Sequence, residues 1–466
     1  MDLTKQSDMT HGNIISLLFS FSVPLFFGNL LQQLYNAFDA IVVGNFVGKE
    51  ALAAVGSAGV LINMIIAFFM GMSMGASVLI SQAYGARDGN ALREAEHTAV
   101  VLSAALGIAL SALGIAATPL LLSLMRTPPE IAPLATEYLR IYFCGMTALT
   151  VYNMGAAILT AVGDSRRPLY FLAISTVLNI VGNLVFVNAF HMGVSGVAWS
   201  TVIAEAVTAV LVVAALCRAE GPYRLYLKDL RIHSRVVRQI SGLGLPGGMQ
   251  QAIISLSNIV VQSYINRMGA NVVAGYIANN KLDSFIVLPT QTLALSVSTF
   301  VAQNLGAGQV KRARRGAGVS LLGGLAISVA ISVLGLVFGR YLIRIFTPDP
   351  AVVANGLRFM RVFVPMYFLL CFTQIIPGAL RGAGDVNVAT LACIISFVPI
   401  RQAYLFIVSR TRYTIELVAL SYPATWGLAA AVLLFYYYRM TDWGKYGQAG
   451  QGQRADGAAP KPNDAN

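Results

Sequence analysis

Residues 14–44 read IISLLFSFSVPLFFGNLLQQLYNAFDAIVVG, an apolar stretch of 31 residues. Between His11 and Lys49 it holds one charged side chain, that of Asp39. A helix of about 20 apolar residues crosses a hydrocarbon core roughly 30 Å thick, because each residue adds about 1.5 Å to its length. The stretch therefore predicts a transmembrane helix that carries a single acid near its far end.

Asp39 is the first candidate for a functional residue. An ionised carboxylate inside a bilayer is costly, so such a residue is expected to face a cavity or a partner and to mark an ion or proton pathway. Burial without a nearby cation would favour its protonated form. The alternative is a structural acid bonded to Asn36 or to another helix. Pro24 lies in the same predicted helix and permits a bend that could move Asp39, although a static kink fits equally well.

The composition of the whole chain excludes an ordinary soluble protein. Of the 466 residues, 56% are hydrophobic and 11% charged, and the mean hydropathy is +0.68. A net charge of +12 would be typical of nucleic-acid binding in a soluble chain, but here the basic residues lie in short loops between apolar runs. We therefore expect a multi-pass membrane protein with no nucleic-acid partner. The four scattered cysteines indicate neither a disulfide nor a metal site.

Apolar runs predict an all-α protein with twelve transmembrane helices. The predicted spans are residues 14–43, 52–82, 95–118, 131–154, 168–190, 194–217, 238–266, 272–303, 317–338, 352–380, 387–408 and 414–438. They form two lobes of six helices, at 14–217 and 238–440. The remaining segments are a cytoplasmic N-terminus (1–13), a linker (218–237) and a polar, glycine-rich tail (441–466) that is expected to be disordered.

An internal repeat at an offset of 221 residues relates the two lobes. GKEALAAVGS (48–57) aligns with GANVVAGYIA (269–278), SQAYGA (81–86) with AQNLGA (302–307), Gly163-Asp164 with Gly384-Asp385, and Arg140 with Arg361. Because each half has an even number of spans, the halves are parallel repeats related by a pseudo-two-fold axis along the membrane normal. This architecture is typical of transporters with a substrate path between the lobes; a channel, which usually gains its symmetry by oligomerisation, is the alternative.

Basic residues predict the orientation of the chain. With the N-terminus in the cytoplasm, 20 of the 32 Lys and Arg lie in cytoplasmic segments and 7 in the loops on the other side. The positive-inside rule therefore places both termini in the cytoplasm, with the protein in the plasma or inner membrane.

Several motifs recur in both halves. They are QQLYNAFDAIVVGNFVGKEALAAVG (32–56), the turns SQAYGARDG (81–89) and AQNLGAGQ (302–309), and the turns AILTAVGD (157–164) and GALRGAGD (378–385). Together they resemble the multidrug and toxic compound extrusion (MATE) transporters, over about residues 10 to 440. The resemblance implies an exporter that exchanges Na⁺ or H⁺ for small organic, often cationic, compounds by alternating access. We expect a monomer with no cofactor besides the coupling ion.

The resemblance also implies a cation site in the N-terminal lobe. Asp39 matches the family's helix-1 aspartate, Asn179 its helix-5 asparagine and Thr201 its helix-6 threonine. Members with this site often have a second acid where this chain has Asn183, one turn from Asn179 on the same helix face. Asp39 can still serve as a Na⁺ ligand. However, one carboxylate binds Na⁺ less strongly than two, so proton coupling through Asp39 is favoured.

The C-terminal lobe departs from the family's alternative site, which uses carboxylates in helices 7 and 10. Helix 7 here reads LPGGMQQAIISLSNIVVQSYI (245–265) and contains amides and hydroxyls but no acid, so that site is expected to be absent. Further candidates to line a substrate cavity are Gln33, Tyr35, Asn36, Gln250, Gln251, Asn258, Lys281, Asp283 and Arg401.

The charged candidates each have a structural alternative. Lys281 and Asp283 are two residues apart, about 200° round a helix, and so cannot both face one partner. They are equally consistent with a structural contact between the lobes. Arg401 is similar, and Glu205 or Glu416 would be suitable partners for these cations.

Two other functions are weighed against an exporter. A flippase for lipid-linked precursors has a related architecture, but it would be favoured by an extra pair of helices or an arginine-rich cavity. An intramembrane enzyme would need a motif such as HExxH or clustered acids, and neither occurs in the sequence. We therefore predict a transporter that is not an enzyme.

The predicted orientation can be tested by labelling. Single cysteines introduced as Lys49→Cys and Arg410→Cys should react with an impermeant thiol reagent added to intact cells, whereas Lys311→Cys should not. The background lacks the four native cysteines, so only the introduced thiol reports. Labelling of position 311 from outside would contradict the orientation.

Overall fold

The computed structural model describes residues 8–125, 127–441, 443 and 444, and this part of the chain is helical without strands. We label twelve spans α1 to α12 in chain order. They are Ile14–Val47, Lys49–Gly85, Gly89–Leu124, Ala132–Cys144 with Met146–Ala161, Arg166–Ala189, Gly193–Cys217, Ser234–Asn266, Ala270–Gly306, Val310–Arg344, Pro350–Gly382, Asn387–Thr411 and Ile415–Arg439. The tail predicted to be disordered lies almost entirely outside the described residues.

The predicted all-α membrane fold is confirmed. Within the described residues, ten of the spans are long and apolar enough to cross a bilayer, and the two segments of α4, bent by 48° at their junction, make an eleventh. α7 is 33 residues long but more polar, because exposed side chains such as Gln251, Ser255 and Asn258 interrupt its apolar surface. The chain is therefore a multi-pass membrane protein.

Several spans that the sequence predicts as continuous are broken in the structure. α8 consists of two helices that meet at Val287, with Pro289 in the first turn of the second. α10 contains a 3₁₀ turn at Val364–Met366, and α11 a π-helical turn at Ser396–Ile400 that includes Pro399. Proline has no backbone N–H and cannot complete the regular ladder, so these breaks follow from proline positions.

The repeat is visible in the backbone. α2 and α8 each begin directly after a glycine with positive φ, Gly48 at 117° and Gly269 at 98°. These glycines are 221 residues apart, so the same turn opens the same helix in both lobes. A positive φ strains residues that carry a side chain, and glycine relieves that strain.

The two lobes meet, at the end that carries the N-terminus, through a pair of equivalent hydrogen bonds. Gln82 Nε2 donates to the carbonyl oxygen of Gly382 (3.2 Å), and Gln303 Nε2 donates to that of Ala161 (2.7 Å). Gln82 and Gln303 are related by the 221-residue offset, and so are Ala161 and Gly382. The bonds are therefore related by the pseudo-two-fold axis, and we call this contact the closed end.

Backbones approach closely at the closed end because glycines face each other or a carbonyl. A Cβ at Gly85 would lie 2.0 Å from the Gln303 carbonyl oxygen, and a Cβ at Gly306 would meet the equivalent glutamine carbonyl at the same distance. Between α2 and α7, a Cβ at Gly71 would lie 2.4 Å from the Gly248 nitrogen. Small residues that allow such approach are typical of helix contacts in membranes, where dispersion rather than solvent exclusion drives association.

The segment before α1 also joins the lobes at the closed end. Met9 is fully buried, and its amide donates to Gln303 Oε1 (3.2 Å). Its carbonyl oxygen accepts from Asn304 Nδ2 (3.1 Å) and Arg312 Nη2 (3.3 Å). The N-terminal segment therefore binds α8 and α9 of the other lobe.

Replacing Gly85 by Ala is expected to separate the closed end, since the added methyl group overlaps a carbonyl oxygen. Overpacking of this kind costs about 1–3 kcal/mol, so the spin-label distance between Arg87→Cys and Lys311→Cys should lengthen in a large part of the molecules. Gly89→Ala is the matched control, because no atom lies within 4 Å of its added Cβ. An unchanged distance distribution in Gly85→Ala would show that the closed end does not depend on the missing side chain at Gly85.

Candidate functional site

A hydrogen-bonded network in the N-terminal lobe joins α1, α5 and α6. Asn183 Nδ2 donates to Asp39 Oδ1 (2.5 Å) and to Asn179 Oδ1 (3.1 Å). Asn179 Nδ2 in turn is within bonding distance of Thr201 Oγ1 (3.3 Å) and Tyr35 Oη (3.2 Å). Both asparagines are fully buried, and Thr201 is 2% exposed. The fold thus brings together the four residues proposed for cation coupling and adds Tyr35 to them.

Local sequence holds α5 and α6 at the distance that this network needs. Asn179 and Asn183 are one turn apart and share a face of α5. The Ser200 hydroxyl donates to the Asn179 carbonyl oxygen (2.7 Å), which fixes α6 beside that face. Gly182 allows the approach, because a Cβ there would lie 2.5 Å from Ser200 Oγ.

Glu205 is a second acid beside this network. It lies one turn beyond Thr201 on α6, and its carboxylate interacts electrostatically with Asp39. None of the ion pairs among the described residues includes Glu205, and Arg401 bonds to Thr425 and Asn258, so the predicted pairing of Glu205 with a cation of the C-terminal lobe is wrong. The sequence analysis named Glu205 but did not place it beside Asp39, because the direction in which α6 faces depends on packing, which the apolar run does not specify.

Two buried oxygens of this site accept no hydrogen bond from the described residues. They are Asn183 Oδ1 and Glu205 Oε2. Buried polar atoms are normally satisfied, so oxygens without donors beside a carboxylate are suited to a proton or a hard cation. The donor set therefore fits either of the coupling ions expected from the sequence.

The C-terminal lobe buries a cation instead. Arg401 is 2% exposed, and its Nε and Nη2 donate to Thr425 Oγ1 (3.2 and 2.9 Å). Its Nη1 donates to Asn258 Oδ1 (3.1 Å), and the guanidinium lies 4.4 Å from the centroid of the Tyr422 ring. Cation–π contact and hydrogen bonds, rather than an ion pair with a described acid, hold this charge.

Matched positions of the repeat have diverged between the two sites. Thr201 and Glu205 correspond, at the offset of 221, to Tyr422 and Trp426. Those two rings pack edge to face at 6.1 Å beside Arg401. Aromatic rings in the C-terminal lobe therefore occupy the positions that a hydroxyl and an acid occupy in the N-terminal lobe.

Comparison with known proteins identifies the family. The model of the MatE family matches residues 24–185 and, a second time, residues 246–407. The chain belongs to the MatE family. Its members and structural neighbours are transporters, so the chain is a transporter and not an enzyme.

Relatives cover nearly the whole of this MatE transporter. "Probable multidrug resistance protein YpnP" of Bacillus subtilis (strain 168) is 30% identical over 86% of this chain and 89% of its own length. "Probable multidrug resistance protein YoeA" of the same organism is 29% identical over 91% and 93%. A solved structure described as the outward-facing conformation of a multidrug resistance MATE family transporter aligns with a TM-score of 0.87 at 22% identity, over 96% and 99% of the two chains. That likeness supports the two-lobed fold.

The other predicted cavity residues of the MatE transporter fall into an exposed and a buried group. Lys281 is exposed, whereas the largely buried carboxylate of Asp283 accepts a hydrogen bond from the Tyr367 hydroxyl. Glu416, the other acid considered as a partner, pairs with Arg358 at 2.6 Å. Among the remaining candidates, the exposed ones are Asn36, Gln251 and Asn258, and the half-buried ones are Gln33 and Gln250.

A cavity of about 220 Å³ lies between α1, α2, α4, α5 and α8. Asn29 and Gln32 of α1 line it, and Asn36 and Asp39 follow on the same helix face. A polar stripe therefore runs along α1 from the cavity to the buried network. The sequence analysis selected Asn36 and Asp39 and missed Asn29 and Gln32. The signal was available, because the four polar residues follow one another at intervals of three, four and three residues.

Loss of the hydrogen bond between Tyr367 and Asp283 and loss of the Lys281 charge are expected to have different effects. Tyr367→Phe leaves the buried Asp283 without its described donor and should lower the free energy of unfolding by about 1–3 kcal/mol. Lys281→Met changes an exposed side chain and should alter stability by no more than about 0.5 kcal/mol. Thermal unfolding in detergent measures both. If Lys281 also lines the substrate path, transport falls in Lys281→Met at unchanged stability; full transport at full stability removes it from the site.

Proposed function

We propose that this MatE transporter is a secondary active multidrug exporter that exchanges H⁺, or alternatively Na⁺, for organic, often cationic, compounds. The names of its curated relatives support this substrate class. The cavity is lined by amides and by Met70 and Met74, whose pliable thioethers suit ligands of varied shape. The sequence contains no GxxxxGK[ST] motif for ATP, so an ion gradient is the energy source we propose.

The observation that carries this proposal is the buried network at Asp39. In the described state Asp39 accepts a hydrogen bond from Asn183 Nδ2, while Asn183 Oδ1 has no described donor. A protonated Asp39 could donate to that oxygen, so gain of a proton would change how α1 sits on α5. An ion drives alternating access only if it binds one state better than the other, and this exchange of donor and acceptor provides such a difference.

Motion of α1 would carry this change to the substrate. The polar stripe of Asn29, Gln32 and Asn36 lies on the same helix as Asp39, and Pro24 near the cavity lacks one backbone hydrogen bond. Loading of the ion would therefore move cavity-lining side chains.

Glu205 supplies the second carboxylate that position 183 lacks. Two neighbouring buried acids without a paired cation repel each other when both are charged, and uptake of a proton or of Na⁺ relieves that repulsion. We propose the proton as the coupling ion, since it satisfies either acid without a complete oxygen cage. The transporter would act as a monomer in the plasma or inner membrane, with cytoplasmic termini and an exit path on the opposite side.

Efflux of ethidium from reconstituted vesicles, driven in turn by a pH gradient and a Na⁺ gradient, tests the coupling. Asp39→Asn should abolish gradient-driven efflux while ethidium binding stays measurable, because the neutral amide cannot cycle its charge. Glu205→Gln should weaken coupling. Asn183→Asp should strengthen Na⁺ dependence, because it adds a carboxylate to the cage.

Glu416→Gln is the matched control, since it neutralises an exposed acid whose surface ion pair is worth about 0–1 kcal/mol. Its efflux should equal that of the wild type. Uphill efflux by Asp39→Asn, or wild-type efflux that ignores both gradients, would show that the proposed coupling site is wrong.

A further inference from the structure

A groove of about 430 Å³ lies between α9 and α10, toward the end of the C-terminal lobe opposite the N-terminus. Arg340 and Arg344 from the last turns of α9 line one side, and Arg361 of α10 lines the other. All three side chains are exposed. The groove is remote from the network at Asp39 and is not used by the proposed transport cycle.

The three guanidinium groups lack compensating charge. Arg340 and Arg344 are four residues apart on one helix, and like charges at this spacing repel each other. Among the described residues that line the groove none is acidic, and none of the three arginines forms an ion pair. The neighbouring Arg358 shows the contrast, because it is paired with Glu416. An anion in the groove would remove this repulsion.

The rest of the groove is apolar. Leu336, Val337 and Leu357 line it, and Val337 is 63% exposed on the outer surface of α9. In a membrane-spanning helix such a surface faces lipid. The adjacent Tyr341, 66% exposed, is a residue type enriched where the hydrocarbon core meets the headgroups. Cationic groups beside an apolar wall match a phospholipid better than a free anion, which would leave the apolar wall without a partner.

The feature is specific to the C-terminal lobe. Arg361 has a counterpart in Arg140, but the counterparts of Arg340 and Arg344 are Pro119 and Ser123. The fold alone therefore does not require the cluster. In the orientation expected from the charge distribution, Arg340 and Arg344 also lie on the side where basic residues are sparse.

We propose that this groove binds the headgroup of an anionic phospholipid, with one acyl chain against Leu336 and Val337. Planar guanidinium groups bind phosphate oxygens in a bidentate manner. A zwitterionic lipid would bring its own cation next to the three arginines, whereas an anionic phospholipid would not. The proposal does not depend on the transported substrate or the coupling ion.

Native mass spectrometry of the purified transporter, titrated with phosphatidylglycerol, tests the site. The wild type should show one phosphatidylglycerol that binds more tightly than the others, and much more tightly than phosphatidylcholine. The triple variant Arg340→Gln, Arg344→Gln, Arg361→Gln should lose this molecule, and each single variant should weaken its binding about fivefold. Arg140→Gln is the matched control and should bind as the wild type does.

Equal binding of phosphatidylglycerol by the wild type and the triple variant would overturn the proposal. Displacement of the lipid by inorganic phosphate at equal concentration, or equal affinity for phosphatidylcholine, would likewise show that the groove is not an anionic phospholipid site. If the triple variant does not fold, the single variants Arg344→Gln and Arg361→Gln decide, because they change exposed side chains with no described partner.

Discussion

The paired hydrogen bonds from Gln82 and Gln303 to the opposite lobe are the constraint on which the rest of the structure depends. Each glutamine reaches a backbone carbonyl, and Gly85 and Gly306 let the chains come close enough for both bonds to form. Because the bonds are equivalent under the pseudo-two-fold axis, neither lobe can leave the contact without breaking both. The closed end therefore sets how far apart the lobes lie elsewhere, including around the cavity beside α1.

A symmetric scaffold carries asymmetric chemistry. The closed end and the glycine turns at Gly48 and Gly269 are alike in both lobes. The interiors are not: Asp39 corresponds to Val260, and the aromatic rings of Tyr422 and Trp426 stand where the other lobe has a hydroxyl and an acid. One lobe thus holds a hydrogen-bonded carboxylate, while the other holds a permanent cation beside packed aromatic rings. The repeated backbone is therefore shared, and the two lobes differ at a few buried positions.

Much of the fold could be predicted from the sequence because a bilayer demands long apolar helices with satisfied backbones. The breaks could not all be predicted, because proline is an ambiguous signal: the helix breaks at Val287, next to Pro289, but continues through Pro24 in α1. At the site, Asp39 stands out as a lone charge and its partners follow from the family resemblance. The neighbours of Glu205 depend on the rotation of α6 against α1, which no local pattern encodes. The burial of Met9 depends on a helix almost 300 residues away and was equally beyond reach.

The contact of Met9 with α8 and α9 has a consequence for synthesis. Met9 leaves the ribosome early, but Gln303 and Asn304 lie 294 and 295 residues further along the chain. At translation rates of about 5–20 residues per second, the partner helices exist only some 15–60 s later. During that interval the segment before α1 lacks these partners. Attachment of that segment therefore waits for Gln303 and Asn304, and a chain that stops before α8 is complete lacks these partners of Met9.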